Sequence, residues 1–212
     1  MGKLLKFLVW VLAICGVVIG VARAVAIRWW RVPANDPYLE ASIAPTLRGG
    51  DLVILSRWSE PYAGDLVICP EPKTPERMTI GRVIGVGGDT ITLQGSGVAL
   101  NGHRVRTEGN CKHSRFSVID PSAQTPVEQS CSREELGGAS HERGDAASES
   151  GEPFTTTLES SQTFLLSDNR RFPWDSREFG PAARATCKET IVFRLVSAKG
   201  FWDVPNRFTL ID

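Results

Sequence analysis

A chain of 212 residues with 24 basic and 24 acidic side chains, 42% hydrophobic and 23% charged, lies within ordinary globular values and is neither fibrous nor disordered throughout. With its opening stretch taken up by a hydrophobic segment, this length leaves room for one core and an appendage and excludes two large domains. Zero formal net charge supplies no overall field to hold phosphates, which excludes nucleic acid as a partner class.

The first predicted element is a membrane segment. Phe7 to Ala22 is uncharged, follows Lys3 and Lys6, and counted through Arg23 extends to Ile27, about the length that spans a hydrocarbon core. Trp29 and Trp30, flanked by Arg28 and Arg31, suit the headgroup layer. The competing reading is a cleaved secretory signal ending at the small-residue triplets Ala22-Arg23-Ala24 or Ala24-Val25-Ala26. Both readings send the rest of the chain across a membrane, with flanking charges too balanced to orient it. Residues 1–31 are therefore assigned as an anchor or uncleaved signal.

After a Pro-containing linker from Val32 to Pro37, short apolar runs alternate with turn residues, and the 20 Gly and 13 Pro favour short strands over long helices. The predicted strands are Asp51–Leu55, Asp65–Cys69, Ile80–Val86, Thr90–Leu93, Val98–Leu100 and His103–Val105, the last pair joined by an Asn101-Gly102 hairpin turn. From Thr107 to about Pro153 the composition turns to Ser, Glu, Gly and Asn, which predicts a polar insertion, mobile around residues 136–153. Strand patterning returns at Phe154–Leu158, Thr163–Leu166, Thr190–Val196 and Arg207–Ile211. The chain thus divides into a β domain from 38–106 and 154–212 and a variable insertion at 107–153. Gly85-Val86-Gly87-Gly88 suggests a phosphate cradle only superficially, since no Walker lysine and no helix accompany it; it reads as a turn between strands.

Four cysteines follow the apolar segment, Cys69, Cys111, Cys131 and Cys187, and allow three pairings. Cys111 and Cys131 share the insertion, where a disulfide would restrain a segment with little apolar content, and that pairing is favoured. A zinc site from Cys111, His113, Cys131 and His141 has poor spacing, so no metal and no cofactor is expected.

Three pieces then occur in order: Ser42-Ile43-Ala44-Pro45-Thr46-Leu47; Gly81-Arg82-Val83-Ile84-Gly85-Val86-Gly87-Gly88-Asp89; and Ser167-Asp168-Asn169-Arg170 followed by Asp175-Ser176-Arg177-Glu178-Phe179-Gly180. Together with the hydrophobic start they resemble signal peptidase I, whose members carry S-M-x-P-T-L, K-R-V-I-G-x-P-G-D and G-D-N-R with a following D-S-R-x-x-G. The resemblance covers the anchor, residues 38–105 and 163 to about 196. It implies a mainly β, signal-peptidase-like catalytic domain on the extracytoplasmic side of a membrane, held by one N-terminal transmembrane helix and interrupted by a variable insertion. It also implies a serine endopeptidase that removes signal peptides from exported preproteins, with signal peptides and membrane lipid as partners. Conjugation-type pilin-maturation peptidases form a related branch that also places Cys-Pro after a G-D-L-V strand, as Gly64 to Pro70 does here.

The resemblance makes Ser42 the nucleophile. In the family a neutral, buried lysine takes its proton. Here the lysine position holds Gly81, Pro173 stands where a serine orients that amine, Glu40 stands where the family has a small residue or a serine, and Ile43 replaces Met. A carboxylate beside a developing oxyanion would raise the barrier. Lys73, Lys112, Lys188, His103, His113 and His141 read as solvated surface groups, so none is named as a substitute base. Arg82, Asp168, Arg170, Asp175 and Arg177 match the family's ion-pair positions and read as structural. A catalytically inactive pseudoenzyme that binds peptides, or regulates an active relative, is the alternative function.

Overall fold

The computed structural model describes residues 2–148, 150 and 152–211, with backbone alone for 22–25 and 110. Helix α1, Gly2–Val25, carries charge at Lys3, Lys6 and Arg23 and is apolar all round between Phe7 and Val21; its stretch Gly2–Val21 has mean hydropathy 2.6 and no buried side chain. A helix with no polar face and no protein packed on it has the character of a bilayer span. After Ala26 begins β1, Ile27–Arg31, so Trp29 and Trp30, grouped above with the anchor, stand on a strand of the main sheet. Helix α2, Pro37–Ser42, follows, then β2, Leu52–Ser56.

The main sheet adds β3 (Leu66–Glu71), β4 (Thr74–Val86), β12 (Gln162–Leu166), β13 (Ala182–Ala183), β14 (Glu189–Val196) and β15 (Thr209–Leu210). Among the described residues its order is β1-β2-β14-β3-β4-β12-β13, with β15 on the side of β14. One register row runs across it: Ile27 lies opposite Ser56, Ser56 opposite Thr190, and Thr190 opposite Val67. A four-stranded sheet follows the order β11-β5-β6-β7, from Phe154–Thr157, Thr90–Gln94, Gly97–Leu100 and His103–Arg104. The Asn101-Gly102 turn forms as predicted, with φ of 52° and 79°.

The mainly β architecture with an N-terminal apolar helix is as expected, but the insertion is more ordered than its composition suggests. It forms β8 (Arg106–Ile119), β9 (Pro126–Leu136) and β10 (Ala139–Gly144), a three-stranded antiparallel sheet. Its far end is hydrogen-bonded to the loop after β12 and to the serine segment. Gly144 N donates to Asp168 O at 2.9 Å, Arg170 N donates to Gly144 O at 2.9 Å, and Thr46 Oγ1 donates to Glu142 O at 3.3 Å. Of the residues expected to be mobile, 149 and 151 lie outside the described set.

Strand alternation on β4 sorts the core. Ile80 joins Leu39, Ile43, Leu47, Val53, Leu55 and Ile191 on one face. Val83 joins Val67, Cys69, Leu165, Ala182 and Cys187 on the other. A third cluster, around Ile84, Ile91, Phe164 and Leu166, joins the main sheet to the four-stranded one and takes in Leu136 of the insertion.

Both disulfides close between strands or their ends: the favoured Cys111–Cys131 links β8 to β9, and Cys69–Cys187 ties β3 to the segment before β14. Replacing Cys111 and Cys131 by Ala, a loop of 20 residues in sequence separation, should lower the unfolding free energy by about 3 kcal/mol, read by thermal unfolding of the detergent-solubilised chain. Non-reducing peptide mapping should recover the Cys69–Cys187 pair.

Candidate active site

The serine segment is built by a short helix. Asp36 caps α2 by accepting from Tyr38 N at 3.1 Å and Leu39 N at 3.2 Å, and Pro37 supplies the preset first helical φ. Ser42 ends the helix, fully buried, and its hydroxyl donates to Leu39 O at 2.9 Å. Its own carbonyl accepts from Asn169 N at 2.9 Å. Two residues of the first and third sequence pieces are thereby joined directly. The chain then turns through Ile43 and Leu47, both buried on the Ile80 face of β4, and Thr46 Oγ1 donates to Asp168 Oδ2 at 2.5 Å.

Gly81 follows Ile80 on β4, buried and opposite Val67 on β3. By alternation its Cα–Cβ direction is that of Val67 and Leu165, the face opposite to the one on which Leu39, Ile43 and Leu47 pack. The space there is already taken: a Cβ at residue 81 would lie 2.9 Å from Leu165 Cβ. Leu165 of β12, the neighbour of β4 in the sheet, leaves no room for a side chain at position 81.

Beside the serine segment lies a buried ionic cluster. Arg82 grips Asp168 through two parallel bonds of 2.9 Å and donates to Gly64 O at 2.7 Å. Burial alone would raise the Asp168 carboxyl, but the charge and paired bonds of Arg82 hold it down to about 2. Asp175 caps α3 (Ser176–Phe179), accepts from Ser167 N at 2.7 Å and pairs with Arg177 at 2.7 Å. Burial works against the Asp175 charge as well, and Arg177 overcomes it, leaving the carboxyl below its usual range. Arg170 pairs with Glu134, which comes from β9 of the insertion. All five predicted ion-pair residues thus have structural partners.

The sequence reading missed the insertion's share of this cluster. His141 was expected on the surface, yet it is 4% exposed, with Nε2 at 3.4 Å from Glu134 Oε2 and 3.9 Å from Asp168 Oδ1. Neither ring nitrogen has a hydrogen-bond partner among the described residues. Burial, reinforced by the positive charge of Arg82, holds the imidazole below its ordinary value despite the two carboxylates. A usable signal existed. Gly137-Gly138 is a two-residue hairpin turn, and counting outward from it sets His141 opposite Glu134, as found. Lys73, Lys112, Lys188, His103 and His113 are exposed as expected.

Glu40 is an exposed residue of α2 that borders a cavity of about 530 Å³ between α2 and β8, with Ala41, Ala44, Phe116 and Val118. Burial pushes its carboxyl up, with Arg48 opposing. Ser42 does not line that cavity. Cys111, Cys131 and Glu142 lie close enough to suggest a metal, but the two thiols are joined as a disulfide, which leaves no thiolate pair to ligate.

The three motifs thus meet in a mainly β domain led by one apolar helix, a candidate membrane anchor. The chain belongs to the signal peptidase, peptidase S26 family, whose model matches residues 4–196. Signal peptidase I of Aquifex aeolicus (strain VF5) is 40% identical over 55 residues, 24% of this chain and 22% of that protein. The match spans about a fifth of the relative's length.

Two outcomes follow from this geometry. Because His141 is held neutral in the fold, stability is fully present above the unfolded-state value of about 6.5 and falls as pH drops below it. His141→Gln should flatten that loss in thermal unfolding followed from about pH 7 to pH 5. Gly81→Ala, which forces a Cβ against Leu165, should cost about 1–3 kcal/mol of stability, read as a lowered unfolding midpoint.

Proposed function

We propose that the chain acts on the signal peptides of exported preproteins at a membrane, as a serine endopeptidase of the signal peptidase type with Ser42 as its attacking hydroxyl and the β domain on the extracytoplasmic side. The observation that carries this reading is the match of residues 4–196 to the family, with Ser42 bonded through its carbonyl to Asn169 of the third motif. Helix α1 would hold the protein in the bilayer, and lipid is accordingly a partner.

The step that needs explanation is proton removal. Ser42 Oγ–H is donated to the Leu39 carbonyl, and a carbonyl accepts a hydrogen bond without accepting the proton. Attack on a peptide carbonyl therefore requires that bond to break and another acceptor to stand within hydrogen-bond reach of Oγ. Lacking the family's lysine, turnover should run about 10²- to 10⁴-fold below that of a relative that has it.

A second reading is favoured by one observation: position 81 is closed by Leu165 as well as lacking an amine. In this reading the protein binds signal peptides without cutting them, or regulates an active relative. The two part in one assay. The full chain in detergent is incubated with a preprotein, beside Ser42→Ala. Slow cleavage after the signal sequence, abolished in Ser42→Ala, supports the peptidase. Retention of intact preprotein by both forms, with no cleavage product over a time that would reveal 10⁴-fold slowed turnover, supports the binder.

A further inference from the structure

The strongest unassigned feature is a pocket of about 820 Å³ at the end of the main sheet where the chain leaves α1. Arg28, Arg57, Arg184 and Lys188 line it against two carboxylates, Glu60 and Glu189. The register explains why they meet. Ile27, Ser56 and Thr190 lie in one row of β1, β2 and β14; Arg28 follows on β1, Arg57 lies just past the end of β2 and Lys188 just ahead of β14, so the three come from neighbouring strand ends. Glu189 Oε1 is shared, accepting from Arg28 at 3.2 Å and from Arg57 Nε at 2.7 Å. Arg184 pairs with Glu60 at 2.9 Å, and Lys188 has no ion-pair partner among the described residues. Two positive charges are left over. Trp58, 81% exposed, stands on the rim with Met78 at 40%.

The pocket's distance from the bilayer is bounded by the chain itself. Helix α1 ends at Val25 and Arg28 is the third residue after it, a reach of at most about 11 Å. A 24-residue helix is about 36 Å long, more than the hydrocarbon core of about 30 Å. Its end therefore stands in or beyond the headgroup layer, which is about 5–8 Å deep on each side. A site with excess positive charge and an exposed indole, at that depth, matches an anionic headgroup in chemistry and location.

We infer that this pocket binds the phosphate of an anionic phospholipid, whose charge answers the two unbalanced cations while Trp58 lies at the interface. The lipid would hold the β domain against the bilayer at the sheet end nearest α1. The inference rests on reading α1 as a membrane span, and the test separates the two.

The full chain in detergent is mixed with equimolar dioleoylphosphatidylglycerol and dioleoylphosphatidylcholine, and retained lipid is read by native mass spectrometry. Phosphatidylglycerol should be retained at least tenfold over phosphatidylcholine. Arg57→Gln with Lys188→Gln should weaken that preference about fivefold for each cation removed. Arg106→Gln with Lys112→Gln, exposed cations of the insertion, should leave it unchanged. Equal retention of the two lipids, or equal loss of preference in both double variants, overturns the site. So does displacement of the lipid by millimolar glycerol 3-phosphate as effectively as by added phosphatidylglycerol, which would make it a site for free phosphate. Unfolding midpoints of the variants within a few degrees of the unaltered chain show that lost preference is not lost folding; a larger fall moves the comparison to Lys188→Gln alone, which breaks no ion pair. Separately, the full chain should float with vesicles of pure phosphatidylcholine. Failure to float overturns the membrane reading itself; flotation without lipid preference overturns the pocket alone.

Discussion

The buried pair between Arg82 and Asp168 is the constraint on which the rest of the site depends. Both side chains are wholly removed from solvent, so either one left alone would be an uncompensated charge in a low-dielectric interior, a penalty of about 3–5 kcal/mol. The pair therefore fixes its surroundings. Arg82 holds β4 against the Gly64 carbonyl, and Asp168 holds the loop after β12 and takes Thr46 from the serine segment. The backbone of that loop then bonds Ser42 on one side and Gly144 of the insertion on the other. Sheet, serine segment and insertion converge on one carboxylate.

The insertion completes this electrostatic arrangement rather than decorating it. Around Asp168 stand Glu134, Asp145 and Asp175, matched by Arg82, Arg143, Arg170 and Arg177. Glu134 comes from β9 and Arg143 from β10, and Glu134 supplies the carboxylate that pairs with both Arg170 and Arg143. With carboxylates and guanidiniums equal in number, a proton on His141 would add an unmatched positive charge. Burial first and the charge of Arg82 second hold the imidazole below its ordinary value against the pull of Glu134 and Asp168. A segment that looks solvated by composition is thus ordered by charges it shares with the β domain.

The same distinction separates what could be read in the sequence from what could not. Strand alternation and the Asn101-Gly102 turn are local, and the strands of the β domain fall close to where the pattern puts them. The membrane helix is equally local in its signal. Glu134 and His141 resisted because their burial depends on a partner distant in sequence: a polar strand is solvated or buried according to what faces it, and only Arg170 and Asp168 decide that. The closure over Gly81 was invisible for a related reason. A glycine in sequence reports a missing side chain but not whether the vacated space is open, and here Leu165, more than eighty positions downstream, fills it.

A buried charged pair is harder to lose than a buried neutral base. The lysine that the family uses must be neutral to act as a base, so removing it leaves no buried charge behind, and neighbouring apolar side chains can close over the gap at little cost. Removing Asp168 would strand Arg82, and removing Glu134 would strand Arg170, each with no solvent to screen it. The fold therefore enforces its charged pairs through stability, whereas nothing in its packing enforces the base. The serine segment is held in the same way, its hydroxyl by the Leu39 carbonyl, its backbone carbonyl by Asn169 N and its next turn by the bond from Thr46 to Asp168.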